Sequence, residues 1–520
     1  MKSTNTAGPA MDRRSATPVR ELLGPRLREL MQHTAIYGLG PVLGQVAAFL
    51  LLPLYTNLLS PADYGALEII LLVGTFLNVF FGLQTVTQLL RFYHACERER
   101  DRREVVSTAI VFTGVVTAAA ILPADMLRDR ISLALFGTDA QAPLLRLAFW
   151  SMVSSNVFAT ALGYLQARKM SRAFTLLSVA QLVCILSLNL FFVAWLARGV
   201  EGILLSQFLV TGTFAIGLAA WVLGQTGLAV SLARMRTFLA FGVPMIGWSL
   251  AVFAVNAADR MVLSRVGSLT DVGVFSLANR FGTALLVFIV TPFSCFWAAE
   301  RFAIAKQPDG KEVLARVFTY FFVLLCFVGL AVSVWSDDLV RLMAAERFRA
   351  AARICPVLVL AYVLWGTFDS FMAGILIDGR TKEVGVLTGV AAVLHIALCV
   401  GLGGAWFAVG VAWAKVITLA ALTIGVYVIA QRRYPIAYEL GRVAKVLAVA
   451  LALFLASTLL GGLPPLLGIA VNAVPVIAFP IVLAGVGFLE PAEKRWMIAC
   501  GRALIGRLQM VASTAAGDSR

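Results

Sequence analysis

Tyr37-Gly38-Leu39-Gly40-Pro41-Val42-Leu43-Gly44 opens one long apolar run, and Phe241-Gly242-Val243-Pro244-Met245-Ile246-Gly247 opens another. Pro41 falls opposite Pro244. Some twenty residues further on the echo returns, with Ala62-Asp63-Tyr64-Gly65-Ala66-Leu67 set against Thr270-Asp271-Val272-Gly273-Val274-Phe275. The copies lie about 205 residues apart, far beyond the period of a solenoid unit. In a chain that is 60% hydrophobic, that spacing accommodates six membrane-crossing helices. Two pseudo-symmetric six-helix halves are the architecture of a secondary transporter, whose substrate path runs between them.

Composition agrees. Mean hydropathy is +0.88 and only 14% of residues are charged, which excludes a soluble domain of ordinary surface chemistry. A run of about 20 apolar residues spans a hydrocarbon core of about 30 Å. Fourteen such segments are predicted, at about 34–58, 65–90, 105–126, 142–165, 173–197, 201–224, 237–262, 272–298, 315–335, 353–377, 383–403, 406–430, 443–461 and 466–489. The expected fold class is therefore an all-α integral membrane protein. Its parts are a basic leader (1–33), an N-terminal six-helix bundle (34–230), a C-terminal one (237–430), two extra helices (443–489) and a tail (490–520).

The 43 Lys and Arg residues give the topology. With the leader in the cytoplasm, 31 fall on cytoplasmic segments and 9 on outside turns, while Arg146, Arg280 and Lys415 lie within segments. That bias puts both termini in the cytoplasm. The net charge of +15 reads as topology plus contact with anionic lipid headgroups; no basic folded domain is present to bind nucleic acid. The leader is polar, and the run behind it is too long for a cleaved signal. The seven cysteines are scattered without metal-ligand spacing, so no disulfide, metal or other cofactor is expected.

Two short stretches, 126–145 and 336–353, carry apolar residues at helical spacing among charges and occupy matching places in the two halves. Both are expected to lie in the membrane interface. Gly202 and Gly410, each opening the sixth segment of its half, carry the repeat to its end.

Leu52-Pro53-Leu54-Tyr55-Thr56-Asn57-Leu58-Leu59-Ser60-Pro61-Ala62-Asp63-Tyr64-Gly65 resembles the first-helix signature of the bacterial polysaccharide repeat-unit flippases. These include the O-antigen exporters of the multidrug/oligosaccharidyl-lipid/polysaccharide exporter superfamily. Asp259-Arg260, followed by Val272-Gly273-Val274-Phe275-Ser276-Leu277-Ala278-Asn279-Arg280, is similar to that family's second-half signature. The resemblance implies a V-shaped bundle with a central cavity and alternating access. It also implies a cargo of undecaprenyl-pyrophosphate-linked oligosaccharide, moved from the cytoplasmic to the outer leaflet of the inner membrane, in the company of a polysaccharide polymerase and glycosyltransferases.

Ionisable residues at membrane depth are the candidate site, because each is costly to hold there. Arg280 and Lys415 each lie about nine residues, or roughly 13 Å at 1.5 Å per residue, from the outer end of the segment that carries them. Both suit a substrate diphosphate, which buried cations bind strongly; the competing reading pairs them with Asp369 and Glu68. Asp369 is a candidate acceptor of a coupling proton or sodium ion, or else such a partner. Glu68 is a candidate gating group or an interfacial cap, and Asp259, at the outer end of the seventh segment beside Arg260, a gate or latch. Gln84 and Gln88, one turn apart, are candidates for contacting sugar. His395 suits helix packing more than proton transfer, Arg146 snorkels, and Asn156, Gln181, Asn189, Asn256 and Asn279 join helices. Pro41, Pro53, Pro244, Pro292 and Pro356 break the backbone ladder where helices bend.

Three other classes are weighed. A membrane glycosyltransferase or polymerase needs a large outside loop, and the longest here is 336–353, so the chain is not expected to be an enzyme. A drug/cation antiporter of the same superfamily needs an acidic cavity, whereas the midplane residues are basic. A peptidoglycan lipid-precursor flippase is the near competitor; it calls for basic residues in the first helix, and none lies between Thr34 and Leu59.

Overall fold

The computed structural model describes Gly44, Val46 and residues 49–379, 382–459 and 465–488. Pro41, most of the first expected segment, the leader and the tail lie outside the described residues. Those described are helical almost throughout, with no strand among them. The first nine helices are α1 (Leu52–Leu58), α2 (Pro61–Phe81), α3 (Thr85–Ala95), α4 (Glu99–Met126), α5 (Arg128–Phe136), α6 (Ala142–Ala167), α7 (Ser171–Asn189), α8 (Gly199–Thr226) and α9 (Leu232–Val266). The rest are α10 (Leu269–Leu285), α11 (Thr291–Ile304), α12 (Gly310–Val334), α13 (Ser336–Met343), α14 (Ala351–Asp378), α15 (Lys382–Arg433), α16 (Leu440–Leu459) and α17 (Pro465–Gly485).

Ten helices among the described residues are long and apolar enough to cross a membrane, fewer than the fourteen segments expected. Part of the difference is continuity. The expected segments at 383–403 and 406–430 share α15, which folds back on itself where Trp406 and Phe407 leave helical geometry. Helix α6 has the length, but Ser151, Ser154, Ser155, Asn156 and Thr160 lower its hydropathy.

The sequence repeat becomes a structural one at the N-termini of α2 and α10. Ser60 caps α2: its Oγ accepts from the Asp63 backbone N–H at 3.1 Å, and the Asp63 carboxylate accepts from the Ser60 N–H at 3.2 Å. Ser268 and Asp271 repeat the arrangement on α10 at 3.1 and 2.9 Å. Each box satisfies amides that the first turn of a helix leaves open. One turn further in, the helices cross where Gly65 and Gly273 face each other. A methyl group on Gly65 would stand 2.0 Å from the Leu269 carbonyl oxygen, and one on Gly273 2.0 Å from that of Pro61. Only hydrogen fits at either place, as in close membrane helix crossings.

The discontinuities match as well. Helix α2 stops at Phe81 and resumes as α3 after Leu83 and Gln84, both at positive φ (46° and 54°). In the second copy, α10 ends in a π turn over Leu286–Val290, and Pro292 opens α11. Both breaks fall at about the same distance beyond their capping boxes. Short helices, α5 and α13, occupy the two stretches expected to lie in the interface.

Apolar packing forms a first bundle around Leu89, Val106, Phe158 and Leu218 and a second around Phe318, Leu325, Tyr362 and Leu419. A third cluster joins them at the capped end through Tyr64, Ile70, Phe275, Phe281 and Phe348. Polar contacts close the same end. The Arg347 guanidinium donates to the Thr56 carbonyl at 2.9 Å and the Asn57 carbonyl at 2.6 Å, and the Thr56 hydroxyl donates to the Met343 carbonyl at 3.3 Å.

Candidate functional site

Five charged side chains from four helices meet just inside the capped end. Glu68 lies one turn past the Gly65 crossing on α2. Arg280 lies two turns past Gly273 on α10, and because helical side chains lean toward the N-terminus, its long stem reaches back toward that level. Asp259 and Arg260 approach on α9, which runs the opposite way. Lys415 lies two turns past the fold-back of α15.

Their bonds form an alternating chain. Lys415 Nζ is 2.9 Å from Asp259 Oδ2. Asp259 Oδ1 accepts from the Arg260 backbone N–H at 2.7 Å and lies 3.5 Å from its Nε. Arg260 Nη1 is 2.9 Å from Glu68 Oε2, and Arg280 Nη2 is 3.1 Å from Glu68 Oε1. Arg280 also donates from Nε to the Tyr64 hydroxyl at 3.0 Å. Three cations and two carboxylates leave one net positive charge in an apolar setting. A buried ion whose partner is removed is costly, so the members hold one another in place.

The two ends of the chain differ in access. The side chains of Lys415 and Asp259 are 1% and 0% exposed, whereas those of Arg260 and Arg280 are 15% and 29% exposed. Lys415 is enclosed: Asn279 Oδ1 and the Tyr362 hydroxyl each lie 3.4 Å from Nζ, and the Tyr362 ring lies 5.3 Å below it. Tyr362 in turn donates to Asn279 at 2.8 Å. His395 is fully buried next door, with Nδ1 3.2 Å from the Thr418 hydroxyl. Under Glu68 and Arg260 lies a cavity of about 380 Å³ between α2 and α9, with Thr75, Ser249 and Asn256 among its polar lining. Of the charged chain, Glu68 and Arg260 form its roof.

The sequence candidates separate accordingly. Arg280 and Glu68 pair with each other, as one of the two sequence readings expects. Lys415 pairs with Asp259 and not with Asp369, because the fold-back of α15 sets it against α9. Asp369 stands apart on α14, accepting from the Ser294 hydroxyl at 2.5 Å. Asp259 and Arg260 are not at the helix end: α9 continues to Val266, which carries both inside. Gln84 and Gln88 do not share a face. Gln84 is the exposed left-handed residue at the helix break, while Gln88 is fully buried beneath Gly242 of α9, donating from Nε2 to the Leu83 carbonyl at 2.5 Å. Arg146 is 60% exposed in its side chain and lies 3.7 Å from Asp125. Of the asparagines, Asn156 joins helices by donating to Asn78 at 2.9 Å, and Asn279 does so by accepting from Tyr362. Arg260, Tyr64 and Tyr362 belong to the site without having been singled out for it. The signal was present for Tyr64, which sits inside the repeated Asp-x-Gly stretch.

Comparison with known proteins follows the same lines. A family model described as polysaccharide biosynthesis protein matches residues 30–296. No curated protein matches the chain in sequence. Among solved structures, the lipid II flippase MurJ in an inward closed conformation is similar with a TM-score of 0.69 at 13% identity, covering 87% of this chain and 98% of that one. An inward-facing multidrug resistance MATE family transporter of the MOP superfamily gives 0.56 at 15% identity, over 75% and 94%. The Vibrio cholerae MATE transporter VcmN in its bent form gives 0.52 at 17% identity, over 78% and 97%. These likenesses establish a membrane-transporter fold.

Proposed function

Because the chain belongs to the polysaccharide biosynthesis protein family, we propose that it is a flippase. Its cargo is oligosaccharide repeat units linked to polyprenyl pyrophosphate, of the O-antigen type, carried across the bacterial inner membrane by alternating access for cell-surface polysaccharide. In this reading the capped end faces outward and both termini face the cytoplasm, as the distribution of Lys and Arg supports. The carrying observation is the alternating chain of charges at the junction of the two bundles. It leaves Arg260 lining the cavity and Arg280 partly exposed on the other side of Glu68, and a guanidinium binds phosphate through paired N–H groups. Lys415 then acts as an anchor that fixes Asp259, and through it Arg260, rather than touching substrate. Asp369 is proposed for coupling and Gln84 for sugar contact. No bond is made or broken in the cargo, so the activity is transport and not catalysis.

The test is genetic and chemical together. With the chromosomal copy replaced by Arg280→Ala, surface polysaccharide should disappear while lipid-linked repeat units accumulate in the cytoplasmic leaflet. Normal surface polysaccharide at normal protein level would overturn the assignment. The fold likeness to MurJ favours one second reading, a peptidoglycan-precursor flippase. Depletion would then stop growth and wall synthesis instead of removing surface polysaccharide.

A further inference from the structure

Glu68 is held in an unusual way. Its two carboxylate oxygens go to two different arginines of the opposite bundle, Oε2 to Arg260 at 2.9 Å and Oε1 to Arg280 at 3.1 Å. Its side chain is 7% exposed, yet it borders the cavity of about 380 Å³ that extends away from the capped end. Two guanidinium groups converging on a pair of anionic oxygens is also how a diphosphate would be gripped. Moreover, these two bonds run from α2 of one bundle to α9 and α10 of the other, at the level where the capped end is shut. Arg260 Nε makes no hydrogen bond and faces Asp259 Oδ1 at 3.5 Å, so Glu68 does not use every donor of the fork.

We propose that Glu68 is a tethered stand-in for the diphosphate of the cargo. In the closed state it occupies the Arg260–Arg280 fork and latches the bundles together; a diphosphate entering from the cavity takes its place and releases the latch. The inference rests on the flippase reading above and adds to it Arg260 as the second arm of the anion site and the step that makes opening depend on cargo. Charge sets the direction. Glu68 brings one negative charge to the fork and a diphosphate two or three, so the exchange favours cargo once it reaches Glu68, and α2 loses its ionic links to α9 and α10, keeping to α10 the Tyr64–Arg280 hydrogen bond and the glycine crossing. Lys415 and Asp259, walled in by Tyr362 and Asn279, stay paired throughout and hold Arg260 in position.

The experiment uses the full-length protein in lipid nanodiscs, carrying spin labels at Leu58→Cys and Leu342→Cys. Both sites are exposed and lie on α1 and α13 across the seam of the capped end. Adding undecaprenyl diphosphate should lengthen the inter-label distance in the otherwise wild-type protein, whereas undecaprenol, with the same chain and no phosphate, should leave it short. Inorganic pyrophosphate should compete for binding, identifying the anion as the group recognised. In Glu68→Gln the distance should be long before any ligand is added, and undecaprenyl diphosphate should bind about tenfold tighter, a gain of about 1.4 kcal/mol. Arg260→Ala and Arg280→Ala should each weaken binding.

If undecaprenyl diphosphate does not bind at all, the flippase reading fails with the inference. If it binds through Arg280 but leaves the label distance short, or undecaprenol lengthens it equally, or Glu68→Gln binds no tighter, only the latch is overturned. The wild-type distance measurement decides the matter even if Glu68→Gln does not fold.

Discussion

Lys415 shows what a single residue does here and why its role had to be read from the fold. A fully buried ammonium must have a partner, and the sequence offers two acidic residues at plausible depth, Asp369 and Glu68. The chain uses a third, because depth along a helix says nothing about which helices are neighbours. Removing one member of a buried pair strands the other at a cost of about 3–5 kcal/mol. Lys415→Ala and Asp259→Ala should each therefore lower the melting temperature sharply, and the double variant should recover much of that loss. The combination of Lys415→Ala with Asp369→Ala should recover none. Equal behaviour of the two doubles in a thermal unfolding assay would contradict the observed pairing. Arg280 differs in kind, being partly exposed. Arg280→Lys should keep part of the transport that Arg280→Ala loses, since a point cation still attracts phosphate but lacks the planar fork.

At the scale of elements, α2 and α10 decide how the capped end closes. The repeated Asp-x-Gly stretch already marked them as counterparts; it could not reveal that the two glycines touch each other's helices. A Cβ at Gly65 has no room against the Leu269 carbonyl, so Gly65→Val must push the helices apart. A cysteine placed near the crossing should then become more accessible to a water-soluble reagent, with transport reduced; unchanged accessibility would mean that the crossing is looser than observed. The matched breaks at Leu83–Gln84 and Leu286–Val290 were half legible. Pro292 announces one, but nothing in Leu83-Gln84 announces two consecutive left-handed residues. That conformation depends on tertiary packing, with Gln88 buried under Gly242 and donating to the Leu83 carbonyl. Pro244 lies within α9, close to this contact. Pro244→Ala restores a backbone donor and should impair transport while the protein remains in the membrane. Transport at the full rate would make the proline a packing feature.

For the whole molecule, hydropathy and the internal repeat were enough to reach an all-helical membrane transporter, because the bilayer demands long apolar helices and repeats leave a visible period. The number of crossings was less legible. A fold-back inside α15 and a polar α6 blur the boundaries that hydropathy draws. Four of the five charged residues that meet were legible, since charge at membrane depth is rare, but Arg260 was not singled out, Asp369 stands apart, and the connections depend on contacts between helices distant in sequence. Orientation follows from charge alone and is open to direct test. In a background without native cysteines, a membrane-impermeant maleimide added to intact cells should label Leu342→Cys but not Arg100→Cys. Labelling at position 100 would invert the topology. The central claim, that this chain moves lipid-linked oligosaccharide by its diphosphate, is tested most directly in proteoliposomes containing the purified protein and a polyprenyl-diphosphate-linked oligosaccharide. The account predicts that the oligosaccharide placed in one leaflet becomes accessible to a glycosidase or lectin on the opposite side, and that Arg280→Ala abolishes this. Movement no faster than in protein-free vesicles, or undiminished in Arg280→Ala, would contradict it.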